Sequence, residues 1–272
     1  MLYRFIPSSG EALPVIGLGT WQTFDVGTER YPDLKEVLTS MHSAAATLID
    51  SSPMYGRSEK VIGDITSTMP GADDFFYATK VWTTGLKEGI SQMETSMQKM
   101  KRKTMDLIQI HNLTDWKTHL PVLRRWKEEG KIRYIGITHY TDASHQELEK
   151  IIRSERLDFV QFNYSIAARN AEKSLLDAAA NAGVATLINR PFGEGRLFGS
   201  VQGKSLPPWA KEAGINSWAA FFLKYIIAHH AVTCVIPATG NVAHLKDNLQ
   251  AGKGGLLDNV VKKKMVGLMS GL

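Results

Sequence analysis

An alternation runs the length of the chain. Short apolar runs rich in β-branched residues recur at 15–21, 47–52, 75–82, 105–112, 134–140, 159–165, 185–192 and 233–239. Several are apolar almost throughout, the pattern of parallel strands buried on both faces. Helical patterns lie between them, at 34–46, 59–67, 89–100, 119–129, 145–156, 170–182, 216–229 and 242–251. The first of these carries Leu34, Val37, Leu38 and Met41 on one helical face. Eight strands, each followed by a helix, give the count of a (β/α)8 TIM barrel of the α/β class. The chain has 272 residues, and one such barrel takes about 250. No Pro/Gly/Ser-rich linker divides it, so residues 1–272 are expected to form one domain. Residues 2–6 and 12–15, around Ser8-Ser9-Gly10, predict a short N-terminal β-hairpin. Ser174 to Asp177 has the spacing of a capping box but falls inside the expected helix 170–182, so it is discounted.

Composition narrows the class. Hydrophobic residues make up 43% and charged residues 22%, which excludes a disordered or collagen-like chain. A net charge of +5 gives no argument for nucleic-acid binding. The longest apolar stretch, 221–237, is broken by Lys224, His229 and His230, so no membrane span is expected, and no signal peptide is legible. Cys234 stands alone, which suits a reducing, cytoplasmic setting. The basic runs 99–103 and 262–264 read as a solvated helix end and a tail.

Barrels of this kind do chemistry at the C-terminal ends of their strands. The polar residues expected there include Asp50, with Tyr55 in the loop that follows, then Lys80, His111, Thr138, His139, Gln161, Asn189 and Thr239. A free tyrosine is a poor proton source at neutral pH, and a neighbouring lysine lowers its pKa. An aspartate would keep that lysine charged, and a histidine could donate to a substrate oxygen. Taken singly each has a plainer reading: a turn aspartate, a packed tyrosine, a paired lysine, a core histidine. No G-x-G-x-x-G follows any strand.

The motifs GLGTW (17–21), LIDSSPMYG (48–56), ATKVW (78–82), LIQIHN (107–112), QFNYS (161–165) and IPATGNVAHLKDNL (236–249) stand in register with strand ends. In this the sequence resembles the aldo-keto reductases. The resemblance implies NAD(P)H-dependent reduction of aldehydes or ketones without a metal. It implies a catalytic set of Asp50, Tyr55, Lys80 and His111, with Tyr55 as proton donor. Cofactor contacts are implied for Thr20, Trp21, Asp50, Thr138, His139 and Gln161, and for Asn189, Arg190, Phe192, Gly193, Gly195 and Arg196 after the seventh strand. Ala238, Thr239, Asn241, His244 and Asn248 would follow the eighth. Trp21, Met54, Trp82 and Asn112 would line the substrate pocket.

Four positions depart from the family's pattern. His139 replaces the usual asparagine, and Asn189 stands where an aromatic ring usually stacks on the nicotinamide. Ala238 and His244 stand where many members carry the lysine and arginine that hold the 2′-phosphate of NADP. NADP(H) remains the expected cofactor, with NAD(H) as the alternative. The short tail, ending at Leu272, implies an open pocket, and 199–213 reads as a lid or a surface loop. Two rival readings are a cofactor-binding sensor with slow turnover and a metal-dependent hydrolase or isomerase using Asp50, His111 and His139. The expected partner is a small carbonyl compound; the oligomeric state is left open.

Overall fold

In the computed structural model, which describes residues 1–271, eight parallel strands close into a barrel. Ahead of it, β1 (Tyr3–Phe5) and β2 (Ala12–Pro14) form an antiparallel hairpin. The barrel strands follow in chain order: β3 (Leu18–Gly19), β4 (Leu48–Asp50), β5 (Phe76–Val81), β6 (Met105–His111), β7 (Ile132–Thr138), β8 (Phe159–Asn163), β9 (Ala185–Asn189) and β10 (Cys234–Val235). The helices between them are α1 (Tyr31–Ser43), α2 (Ser58–Thr66), α3 (Leu86–Lys99), α4 (Trp116–Glu128), α5 (His145–Ser154) and α6 (Leu175–Asn181). The short α7 (Arg196–Ser200) and α8 (Pro208–Glu212) precede α9 (Trp218–Ile227). After β10 come α10 (Val242–Gln250) and α11 (Asn259–Ser270). None of these helices is long and apolar enough to cross a membrane.

The barrel closes where β3 meets β10. Ile16 bridges Val235 and Gly19 bridges Ala238. The Gly17 amide donates to the Val235 carbonyl at 2.8 Å and the Gly19 amide to the Pro237 carbonyl at 3.1 Å. A Cβ at residue 19 would lie 2.8 Å from the Ile236 carbonyl oxygen, so the seam requires glycine there.

Two apolar layers hold the fold. The outer one packs helices on strands; the inner one fills the lumen with Leu48, Phe76, Leu107, Tyr134, Phe159, Leu187 and Cys234. Ile6 and Leu13 of the hairpin join this inner layer beside Leu48, Phe76 and Phe159, which open their strands. The hairpin therefore plugs the N-terminal mouth, and the C-terminal mouth stays open.

Three expectations change. The helix at 170–182 breaks at Ser174, whose φ of −160° is not helical and whose hydroxyl donates to Glu149. The segment 199–213 is partly helical: it holds the end of α7 and the whole of α8, whose Trp209 ring lies 6.2 Å from Phe221. Lys262, Lys263 and Lys264 lie on α11, not a tail, because the same helix buries Met265. The short-tail expectation rests on Leu272, which lies outside the described residues.

Candidate active site

The centre of the open mouth is a buried ion pair. Asp50 ends β4 and Lys80 lies one residue from the end of β5, both essentially inaccessible. Parallel pairing of β4 with β5 sets Asp50 against Ala78, and Lys80 Nζ reaches across to donate to Asp50 Oδ2 at 2.6 Å. Nζ also donates to the Ser51 carbonyl at 2.7 Å, and Gln109 Nε2 donates to Asp50 Oδ1 at 3.2 Å. Burial opposes the Lys80 charge, but Asp50 and then Tyr55 outweigh it and hold the ammonium above ordinary lysine.

Tyr55 sits on the turn after β4. The Arg57 guanidinium, 2.9 Å from Asp25, pins the turn from outside, and Gly56 supplies the φ of +59° that reverses it. Lys80 Nζ lies 5.1 Å from the Tyr55 ring centre, and His111 meets the ring edge-on at 5.8 Å. The expected lowering of the Tyr55 pKa is not what the resting site gives. Burial pushes the phenol above its ordinary value; the Lys80 ammonium opposes this without overcoming it, and the Asp50 carboxylate adds to the rise. His111, at the end of β6, is pushed down to about 2 by burial, Lys80 and His139, so it is a neutral imidazole. Its Nδ1 is 2.9 Å from Ser52 Oγ.

A cavity of about 600 Å³ opens over this group. Of the residues singled out from sequence, Thr20, Trp21, Asp50, Met54, Tyr55, Trp82, His111 and Asn112 line it. So do Thr138, Gln161, Asn189, Arg190, Phe192, Gly195 and Ala238. His139 does not: its Nδ1 turns back to accept from the Tyr140 amide at 3.0 Å, and Tyr140 takes the wall instead. Gly193 and Arg196 lie outside the lining, and Glu194 and Phe198 occupy that stretch of wall. Arg190 lies 4.1 Å from the Tyr140 ring centre and pairs with Glu194 at 2.9 Å. Tyr140, Glu194, Phe198, Ser52 and Gln109 carried no sequence signal of their own; only the fold brings them here.

A second cleft shares Gln22, Thr23 and Ala238 with the first. Thr239, Asn241 and His244 line it beside Arg30, Asp33 and Glu36. Arg30 is paired with Asp33 at 2.9 Å. Asn241 Oδ1 caps α10 by accepting from the Ala243 and His244 amides. Asn248 is buried in α10 and lines neither space.

Four buried polar atoms of lining residues have no partner among the described residues: Thr23 Oγ1, Asn112 Oδ1, Gln161 Nε2, a donor, and Asn189 Oδ1, an acceptor. Metal ligation is poorly served. Among the described residues no group of three or more His, Cys, Asp or Glu side chains could hold an ion. Asp50 is committed to Lys80, and His139 is turned away.

Comparison with known proteins gives a consistent answer. The sequence model of the Aldo/keto reductase family matches residues 15–264. Methylglyoxal reductase YeaE of Escherichia coli K12 is 25% identical over 256 residues, covering 91% of this chain and 89% of that protein. An NADH-specific methylglyoxal reductase of the same organism is 27% identical, over 72% of this chain and 69% of its own length. An aldo/keto reductase from Klebsiella pneumoniae, solved with NADP and acetate, superposes with a TM-score of 0.84 at 21% identity, covering 99% and 96% of the two chains. The thermostable aldo-keto reductase Tm1743, solved with epalrestat, gives 0.82 at 25% identity over 98% and 100%. A closed parallel barrel with this polar cluster at its open mouth, and a family match across nearly its whole length, make this chain an oxidoreductase of the aldo/keto reductase family.

Proposed function

We propose that the protein reduces aldehydes or ketones to alcohols with a nicotinamide cofactor, in a cytoplasmic setting that its lone buried cysteine suits. The observation that carries this reading is the contact chain Asp50–Lys80–Tyr55–His111 at one end of one cavity. A carbonyl oxygen between the Tyr55 hydroxyl and His111 Nε2 would meet two donors. The raised Tyr55 pKa keeps that proton in place at neutral pH. As the proton moves to the substrate oxygen, charge grows on the phenolate, and the Lys80 ammonium is there to stabilise it. Trp21, Met54 and Trp82 give the substrate side apolar walls, and Asn112 adds an amide.

The bound cofactor would supply hydride from its nicotinamide ring. The wall residues fit such a group. Gln161 Nε2 and Asn189 Oδ1 need an acceptor and a donor, which the two ends of a carboxamide provide. Thr138 holds Gln161 in place by donating to its Oε1 at 2.9 Å. NADP(H) is the cofactor favoured by the bound neighbours, and NAD(H) is the alternative, favoured by the NADH-specific relative. The second cleft, with Ala238 and His244 in place of fixed cations, is consistent with weak discrimination between them.

The test is Tyr55→Phe, with methylglyoxal as substrate. Loss of a positioned general acid should lower kcat at least about 100-fold. Quenching of tryptophan fluorescence by NADPH should be unchanged. Turnover at the wild-type rate would overturn the reading.

A further inference from the structure

We infer that Ser52 is a positioning residue that fixes His111 as the Nε2–H tautomer, with its donor aimed into the cavity. This rests on the carbonyl-reducing reading above but is tested separately from it. Ser52 and His111 are both buried, and Ser52 Oγ lies 2.9 Å from His111 Nδ1. Either atom could donate, and the surroundings decide which does. The Met54 amide already donates to Ser52 Oγ at 3.3 Å. The serine hydroxyl therefore has one proton to place, and among the described residues Nδ1 is the acceptor within reach.

If Nδ1 carried the imidazole proton, Ser52 Oγ would receive two donors and its own proton would be buried without a partner. That arrangement costs a hydrogen bond. With Ser52 donating to Nδ1, every proton is placed and Nε2 carries the imidazole hydrogen. Nε2 has no hydrogen-bond partner among the described residues, and His111 lines the cavity between Tyr55 and Trp82. A neutral imidazole in the opposite tautomer would present a lone pair to a carbonyl oxygen and repel it.

The serine also restrains the ring. Oγ belongs to the same turn as Tyr55, whose amide donates to the Ser52 carbonyl at 3.0 Å. One short segment thus sets both groups that would face the substrate oxygen.

The test uses full-length protein labelled with nitrogen-15 at histidine. The chain has eight histidines, and the His111 signals are assigned by their loss in His111→Gln. In the wild type, His111 should show a protonated Nε2 and a hydrogen-bonded, unprotonated Nδ1. In Ser52→Ala the hydrogen-bonded Nδ1 signal should be lost and both tautomers populated. With methylglyoxal, kcat should fall on the order of ten-fold, with NADPH affinity unchanged. Ser52→Thr, which keeps the hydroxyl, should restore both readouts. A wild-type spectrum with the proton on Nδ1 overturns the inference without any variant. So does Ser52→Ala with unaltered tautomer and kcat. Failure of the wild type to reduce any carbonyl compound would instead overturn the functional reading and leave the tautomer result standing.

Discussion

Lys80 and Asp50 can be removed one at a time or together, and the structure sets what each removal costs. Lys80→Met leaves the Asp50 carboxylate buried with the Gln109 amide as its side-chain donor. Asp50→Leu leaves the Lys80 ammonium buried with the Ser51 carbonyl as its hydrogen-bond acceptor. Breaking a buried ion pair from one side costs about 3–5 kcal/mol, so independent effects would sum to about 6–10 kcal/mol. The double variant contains no uncompensated charge. Its losses are the partners of Gln109 Nε2 and the Ser51 carbonyl, each about 1–2 kcal/mol. The double variant should therefore be no less stable than either single one, with a coupling energy of at least about 3 kcal/mol. Urea unfolding followed by far-ultraviolet circular dichroism, with free energies extrapolated to water, measures all four corners of the cycle. Additivity within about 0.5 kcal/mol would mean that the two charges do not depend on each other, and would refute the reasoning.

Two further outcomes follow from the site. His111 is held near a pKa of about 2 when folded, against about 6.5 in an unfolded chain. Below pH 6.5 the unfolded state takes up a proton that the folded state refuses, so this group removes stability as pH falls. Between pH 7 and pH 5 the loss is about 2 kcal/mol, and His111→Gln should lose correspondingly less in urea titrations at the two pH values; equal slopes would contradict it. For the cofactor, His244→Arg adds a fixed cation to the second cleft. It should tighten NADPH binding about ten-fold, by a charge-assisted contact, while leaving NADH unchanged, as read by fluorescence titration. Equal tightening of both would show that residue 244 does not meet the 2′-phosphate.

The barrel was legible because its signal is local and repeated. The run at 105–112 became β6 almost residue for residue, because it is buried along nearly its whole length; 134–140 became β7 two residues earlier, at Ile132–Thr138, which leaves His139 and Tyr140 beyond the strand. The outer runs shrank: 15–21 to Leu18–Gly19, and 233–239 to Cys234–Val235. There the barrel closes through single bridges, which interrupt regular pairing. Ser174 ended a helix that its neighbours' apolar spacing had run together, because its hydroxyl serves a carboxylate on α5. Position in the motifs was enough to place Asp50, Tyr55, Lys80 and His111 at one mouth. It could not show that Tyr140 displaces His139 from the wall, which depends on how one imidazole folds back on its own loop. Nor could it show Ser52 meeting a histidine 59 positions away.

The closing seam has a consequence for how the molecule is made. The first barrel strand finds its second neighbour some two hundred residues further along the chain. Until β10 has left the ribosome, the edge at Ile16 and Gly19 stays unsatisfied, an invitation to wrong partners. The open mouth, lined from both sides of that seam by Gly19 and Ala238, is thus among the last features of the enzyme to come into being.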